Sequence, residues 1–499
     1  MSYVIGVDLG TSAVKVLLVN EHGELRGEAS CEYPLIQEKA GYSEQKPEDW
    51  VEGTKDALSK LVQQSTIPVE QIKGISFSGQ MHGLVLLDDE DQVLRNSILW
   101  NDTRTTKQCE EIYEMVGKER YIRITKNLAL EGFTLPKILW VKSHEPELFN
   151  QATKFLLPKD YLRYRMTGNI HMDYSDAAGT GLLDLNENQW SSEILRALNL
   201  SSKLCPNLVH SHEFVGYLND DFANATGLSP ETKVFAGGAD NACGAIGSGI
   251  LEEGKTMCSI GTSGVVLSYE GDSSTTYDGK AHFFNHGKEH AYYSMGVTLS
   301  AGYSLNWFKE TFAKELSFDE LLDGVDRVPI GSQGLLFTPY LVGERTPHAD
   351  ADIRGSFIGM DSSHQLKDFT RSVLEGITFS LNETIEMFRE RGKTIDTVIS
   401  IGGGAKNREW LQIQADIFNA KIVRLTSEQG PGMGAALLAG YGLGWYENLT
   451  EGASKLIEVK DEIKPILDNV EKYQQLFSIY QRIYENTHSI NHQLVEFRK

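Results

Sequence analysis

Cysteine, proline and basic charge are all in short supply in this chain. Its 499 residues include five cysteines and 13 prolines. The cysteines (Cys31, Cys109, Cys205, Cys243 and Cys258) are scattered, odd in number and contain no CxxC pair. That argues against a disulfide framework and against a cysteine zinc site, and it suits a reducing cytoplasm. The histidines form no HExxH or similar ligand spacing. No run of eighteen apolar residues exists, which removes a membrane-spanning helix. The N-terminus carries no basic segment and no signal-type apolar core, and it should enter a strand by Tyr3. A cytoplasmic protein without a secretory leader is the expectation. Lysine and arginine total 47 against 69 aspartates and glutamates, for a net charge of −22. That balance argues against nucleic acid and against an anionic membrane as partners. A nucleotide is not excluded, because ATP arrives with Mg²⁺ and backbone N–H groups bind its phosphates without net positive charge.

What is present describes a globular α/β protein. Hydrophobic residues make up 40% and charged residues 23%, the balance of a folded soluble chain. The length allows two or more domains with large cores. Strand-like and helix-like segments alternate throughout. Strands are expected at Val4–Asn20 (a hairpin), Glu24–Tyr33, Ile72–Ser78, Val85–Asp88 and Ile98–Trp100, with a helix at Trp50–Gln64. The span 103–170 reads as helical with interruptions at Pro136 and Pro158. A second unit is expected to begin near Lys233. It holds a second hairpin after Thr256, a helix at Leu366–Arg391, a strand at Thr397–Ile401 and further alternation beyond. Tyr473, Phe477, Tyr480 and Tyr484 fall at helical spacing and read as core packing. With no Pro-rich linker, the two units should be closely joined.

The tripeptide Gly-Thr-Ser occurs twice, at Gly10–Ser12 and Gly261–Ser263, about half the chain apart. Each copy sits at the turn of a hairpin. Glycine lets the turn approach an anion, and backbone N–H groups with Thr and Ser hydroxyls can then grip phosphate oxygens. One such turn is an ordinary hairpin. Two at matching places point to a duplicated domain with a phosphate clamp between its halves.

Asp8 lies inside the apolar run before the first turn. An enclosed carboxylate needs a partner, and a Mg²⁺-phosphate group would supply one. Asp240 stands where strand and glycine turn give way to a helix, and the helix N-terminus should favour its ionised form. That helix and a second one at Met433–Gly444 are built almost wholly of small residues, so the two could cross closely at a hinge. Gly402–Gly404, with Asn407, offers bare backbone beneath a nucleotide. It is not GxGxxG, and GxxxxGK[ST] is absent, so neither a dinucleotide fold nor a P-loop is supported. Met81 and His82, and Trp100 to Arg104, place polar groups at strand ends, where open α/β sheets bind ligands. Each feature alone has a plainer reading: Asp8 capping its turn, Asp240 as an N-cap, the loops at 78–83 and 100–104 as surface.

In their order along the chain these motifs resemble the FGGY carbohydrate kinase family. The matching blocks are Asp8–Lys15, Gly237–Gly249, Ser259–Val265, Ile401–Asn407 and Gly430–Leu443. Gly79–Gly83, Ile98–Asp102, Leu157–Arg163, Ser175–Thr180 and Gly343–His348 carry the likeness further, and it covers roughly residues 3 to 485. The resemblance implies two duplicated actin-like (ribonuclease H-like) domains of the sugar kinase, heat-shock ATPase and actin superfold, with a cleft between them. Residues 1–235 would form the sugar-binding lobe and 236–499 the nucleotide-binding lobe. It implies ATP and Mg²⁺, and within the family it points to phosphorylation of D-xylulose at its 5-hydroxyl. Carried over, Asp240 resembles the general base, and Asp8 and Asp240 the carboxylates near the metal. Met81, His82, Trp100, Asp102 and Asn241 resemble sugar contacts. Gly10, Thr11, Ser12, Lys15, Gly261, Thr262, Ser263, Gly403, Gly404 and Asn407 resemble nucleotide-side positions. Ala239 stands where relatives often have glycine, and Met433 where smaller residues occur. A gluconokinase- or ribulokinase-like preference stays open, as does a homodimer. A non-catalytic actin-like ATPase would leave Asp240 and the polar loops without a task.

Overall fold

The computed structural model describes residues 1–426 and 429–498. Two seven-stranded sheets organise it. The first is built from β1 (Tyr3–Leu9), β2 (Ala13–Asn20), β3 (Leu25–Glu32), β4 (Ile72–Gly79), β5 (Phe214–Tyr217), β6 (Lys233–Phe235) and β7 (Gly238–Ala239). Its order is β5-β6-β4-β1-β2-β3, with β7 also on β4. The second holds β8 (Gly254–Ile260), β9 (Gly264–Glu270), β10 (His282–Asn285), β11 (Tyr292–Thr298), β12 (Ile395–Gly402), β13 (Lys421–Leu425) and β14 (Val459–Ile463). Its order is β10-β11-β9-β8-β12-β13-β14.

The two sheets repeat one plan. Each opens with an antiparallel hairpin, β1–β2 and β8–β9. The first strand of each hairpin then takes a parallel neighbour, β4 or β12. A further parallel strand follows, β6 or β13, and an antiparallel strand closes that edge, β5 or β14. The expectation of a duplicated α/β domain holds at the level of strand order.

Helices cover the sheets. They include α1 (Pro47–Gln64), α2 (Pro158–Thr167), α3 (Tyr174–Ala178), α4 (Asp240–Gly247), α5 (Gly302–Phe312), α6 (Phe318–Leu322), α7 (Leu366–Glu390), α8 (Arg408–Phe418), α9 (Gly430–Gly442) and α10 (Leu467–Leu494). The alternation of β1 and β2 assigns their faces. Ile5, Val7, Leu9, Val14, Val16 and Leu18 join one buried cluster with Trp50, Leu58 and Leu61 of α1. Val4, Leu17 and Val19 join another, with Met433, Ala436 and Leu437 of α9 and Cys243 and Ile246 of α4. Asp8 and Lys15 pair in register at the end of the row that faces α9. So the first sheet's second face is covered by helices from the border and far half of the chain.

Three sequence expectations need correction. Lys233–Phe235 does not open the second unit, because it pairs parallel with β4, as Gly238–Ala239 does. The open edge of β4 is where that returning segment finds hydrogen-bond partners. Pro136 does not interrupt a helix: it lies in the first turn of Thr134–His144, where no intrahelical N–H is required. Trp100 is not in a strand, since pairing ends at Ile98. Tyr473, Phe477 and Tyr480 of α10 are buried around Phe379 of α7 as the spacing indicated. No helix among the described residues is long and apolar enough to cross a membrane.

The crossing of α4 and α9 leaves no space for a side chain. A Cβ on Gly434 would stand 1.9 Å from the Cys243 carbonyl oxygen, and one on Gly247 1.9 Å from that of Gly430. A Cβ on Gly430 would meet nothing within 4 Å. We therefore expect Gly434→Ala to destabilise the protein by about 1–3 kcal/mol through overpacking. Gly430→Ala should be neutral or stabilising by up to about 1 kcal/mol, since alanine suits a helix better. Thermal unfolding of the pair checks this, and equal melting temperatures would show that the helices part at no cost.

Candidate active site

The site lies where the C-terminal ends of β1 and β4 meet the start of α4. Asp240 begins α4 and is partly exposed. Its Oδ1 accepts the Asn241 backbone N–H at 2.7 Å and Asn241 Nδ2 at 3.0 Å. Burial pushes its carboxyl up to about 7; the Asn241 N–H opposes this, and the charge of Asp8 adds to it. The helix N-terminus was expected to keep the group ionised. Enclosure outweighs it here. Burial also raises the carboxyl of Asp8, against the pull of the Ser78 hydroxyl and the Lys15 ammonium.

The loop after β4 brings Met81 and His82 to the same place. Asn241 Nδ2 lies 3.6 Å and the Tyr293 hydroxyl 3.9 Å from Met81 Sδ. His82 stacks on Phe133 with ring centroids 4.6 Å apart. Its Nδ1 lies 2.6 Å from the Gly179 carbonyl, which can only accept, so Nδ1 carries the proton and Nε2 is left as an acceptor. Burial holds the imidazole neutral by lowering its pKa to about 3, with the Lys137 charge adding to that. His82 keeps a positive φ of 70°, unusual for a residue with a side chain.

Trp100 and Asp102 part company. Trp100 is 47% exposed, and its Nε1 donates to Thr11 Oγ1 at 2.9 Å. Asp102 is buried and fully engaged: Ser43 N donates to it at 2.6 Å, and Arg104 N, Nε and Nη2 at 2.6–3.0 Å. It braces the loop that carries Trp100 and offers nothing to a ligand.

The first phosphate-type turn is held from within the lobe. The Thr11 hydroxyl donates to Gln80 Oε1 at 3.2 Å while accepting from Trp100, and Gln45 Nε2 donates to the Thr11 carbonyl at 2.7 Å. Tyr33 donates its hydroxyl to the Gly10 carbonyl and its N–H to that of Ser12. Ser12 is exposed. Lys15 reaches Gln429 Oε1 at 2.7 Å and Glu28 at 3.1 Å, so its ammonium ties the first hairpin to the residue preceding α9. In the second turn Gly261, Thr262 and Ser263 are all exposed. The turn is braced from behind, where Gly302 N donates to the Gly261 carbonyl at 2.8 Å and Tyr303 N to that of Thr262 at 3.0 Å.

Beside the second turn is a pocket of ≈ 510 Å³ lined by Gly261, Thr262, Gly403, Gly404, Lys406 and Asn407, together with Tyr303, Asn306, Phe318 and Leu322. Asn407 also caps α8, accepting Trp410 N at 2.8 Å. Tyr303, Asn306, Phe318 and Leu322 carried no sequence motif. They come from α5 and α6, after the second hairpin, and no local pattern in the sequence marks them. The volume and mixed lining suit a nucleoside. The half-buried Asp240 carboxylate thus stands beside Asn241 and Met81, and the second lobe carries its own phosphate-type turn with a large pocket next to it.

Comparison with known proteins agrees with this geometry. Residues 3–247 match the N-terminal domain of the FGGY family of carbohydrate kinases, and residues 256–443 match its C-terminal domain. A xylulose kinase of Bacillus subtilis (strain 168) is 61% identical over 499 residues, with 100% of each chain covered. The crystal structure of a ligand-bound xylulose kinase from Lactobacillus acidophilus superposes with a TM-score of 0.94 at 28% identity, covering 99% of this chain and 100% of that one. A gluconate kinase from the same organism reaches 0.92 at 29%, with 97% and 98% covered.

A carboxyl of pKa about 7 accepts a proton only above that pH. Turnover that relies on Asp240 as a base should therefore fall as pH drops. We expect kcat/KM to lose about tenfold per pH unit below 7 and to level off above it, the free-enzyme titration of an essential base. In Asp240→Asn this limb should vanish together with about 10²- to 10⁴-fold of the rate, while nucleotide binding stays, since the residue does not line that pocket. A flat profile between pH 5.5 and 8 would show that no such base operates.

Proposed function

The chain belongs to the FGGY family of carbohydrate kinases, and on that premise we propose that it transfers the γ-phosphoryl group of ATP to the 5-hydroxyl of D-xylulose. The full-length likeness to a xylulose kinase carries the choice of sugar. The side chains gathered around Asp240 agree with it. Met81, His82 and Asn241 are uncharged, which suits a neutral polyhydroxyl compound.

Phosphoryl transfer asks mainly for positioning and charge neutralisation. His82 Nε2 accepts from a sugar hydroxyl, and Asn241 holds a second. Asp240 takes the proton of the attacking hydroxyl as the new P–O bond forms and the bond to the leaving ADP breaks. The nucleoside occupies the pocket between Gly403–Gly404 and α5–α6. The Gly261–Ser263 turn holds phosphate from the second lobe, and the Gly10–Ser12 turn from the first. A half-enclosed carboxylate at that turn, Asp8, fits a divalent cation carried on the nucleotide, with Asp240 beside it. Mg²⁺ when bound supplies positive charge against the phosphates.

In this reading the sugar lobe runs past the expected boundary at 235, because β7 still pairs with β4, and the nucleotide lobe is built on the second sheet from β8 onward. The close glycine crossing of α4 and α9 is the axis about which they close to exclude water. With ATP as donor and every thiol free, the cytoplasm is the proposed place of work.

Two measurements test the reading. In a coupled ADP assay with D-xylulose, D-ribulose, gluconate and glycerol, D-xylulose should have the highest kcat/KM, and a preference for gluconate would replace it as substrate. His82→Asn keeps a residue that tolerates positive φ but removes the imidazole Nε2. Losing that hydrogen bond, worth roughly 1–3 kcal/mol, should raise the sugar KM about 5- to 150-fold and leave the ATP KM unchanged. A rise in the ATP KM alone would take His82 out of the sugar pocket.

A further inference from the structure

Behind the strand that leads into Asp240, five charged side chains are completely buried: Lys159, Asp160, Arg163, Asp173 and Asp176. Lys159 Nζ stands 2.6, 3.0 and 3.2 Å from the carboxylates of Asp160, Asp173 and Asp176. Arg163 Nη1 is 2.9 Å from Asp160. The three carboxylates are close enough together to hold a metal ion, but the Lys159 ammonium already stands among them. Withdrawing five charges from water is expensive even when they are paired, so the cluster needs a task beyond filling space.

Its contacts supply one. Arg163 Nη1 donates to the Ala236 carbonyl at 2.7 Å. Asp173 Oδ2 accepts the Ser175 hydroxyl at 2.5 Å and the Ser211 hydroxyl at 2.8 Å. With its proton so directed, Ser175 Oγ accepts the Ala239 N–H at 2.9 Å. Ala239 is the residue before Asp240. Ser175 belongs to α3, and Gly179, which ends that helix, gives its carbonyl to His82 Nδ1 at 2.6 Å. One short helix therefore grips the peptide before the base at its first turn and the sugar-side histidine at its end.

We infer that Ser175, aimed by Asp173 and Lys159, is a positioning residue for phosphoryl transfer, and that α3 sets the offset between the Asp240 carboxylate and the sugar held by His82. This rests on Asp240 acting as the base. Misplacing a reacting group by about 1 Å costs on the order of 10²-fold, so the peptide before Asp240 is a sensitive place to hold.

Ser175→Ala removes the acceptor for the Ala239 N–H. It should lower kcat about 10- to 100-fold, with the ATP KM unchanged. Ser211→Ala is its matched control, because it removes a hydroxyl from the same Asp173 oxygen without a side-chain bond to residues 236–239. Its kcat should stay near that of the unaltered protein at a similar loss of melting temperature. Ser175→Thr and Ser175→Val form a second pair of equal bulk that differ in the hydroxyl alone, and kcat of the threonine variant should exceed that of the valine variant about tenfold or more. Equal kcat losses in Ser175→Ala and Ser211→Ala, or equal kcat in the threonine and valine variants, would overturn the inference and leave the cluster a structural one. An inactive Asp240→Asn beside a fully active Ser175→Ala would overturn it while leaving the base in place. An active Asp240→Asn would remove the base and the inference together.

Discussion

The close contact of backbone with backbone where β1, α9 and α4 stack is the constraint on which the molecule depends. A Cβ on Gly6 would lie 2.1 Å from the Gly432 carbonyl oxygen, and those on Gly434 and Gly247 would meet Cys243 and Gly430 as closely. Glycines inside helices cost stability through backbone entropy. The chain carries them because only bare backbone lets α9 lie flat on β1 and α4 lie flat on α9. That stacking fixes where α4 starts relative to where β1 ends. Asp240 stands at the first point and Asp8 at the second, near enough for the charge of one to raise the carboxyl of the other. A bulkier seam would separate them and leave two carboxylates on different lobes.

The polar groups follow from enclosure. Asp240 is held near neutrality in pKa by burial, His82 is kept uncharged by it, and Asp8 is raised by it. Each shift runs against the charged form, as desolvation requires. The same low-dielectric surroundings strengthen every interaction made inside them. The buried cluster at 159–176 is mixed: Lys159 and Asp173 are held toward their charged forms, while burial raises the carboxyls of Asp160 and Asp176. Charge is gathered behind Ala239 to hold it, while the His82 imidazole ahead of it is kept neutral.

Motifs and periodicity made the plan of the fold legible in the sequence. Two hairpin turns with the same tripeptide announced the duplication, and apolar runs at 3–20 and 256–269 were long enough to identify. What the sequence hid were relations across distance. Lys233–Phe235 looks like the start of something new, because sequence does not show that β4 has an open edge. Asp102 looks like a ligand group, because its consumption by Arg104 and Ser43 is visible only in three dimensions. The Thr11 hydroxyl and the Lys15 ammonium read as phosphate contacts, and only three dimensions show their bonds to Gln80 and Trp100, and to Gln429 and Glu28. Tyr303 and Phe318 line a pocket that no local pattern marks.

The duplication also lets one architecture carry two unlike strand ends, as the proposed pair of ligands requires. Strands β4 and β12 occupy the same place in their sheets, each parallel to the first hairpin strand. Beyond β4 come Gln80, Met81 and His82; beyond β12 come Gly403, Gly404 and Ala405. A polyhydroxyl molecule needs side chains that reach out to its hydroxyls, and the first strand end provides them. A nucleoside needs width, and the second strand end withholds side chains to give it, leaving α5 and α6 to supply the walls. The hairpins diverge in the same way. Asp8 pairs with Lys15 just before the first turn, whereas Ser259 pairs with Val265 before the second. At the two hairpins, then, the ionisable pair belongs to the first, and the second presents a serine and a valine in its place. Two copies of one strand order thus carry loops opposite in kind, while the stacking of glycines holds α4 and α9 against the first sheet.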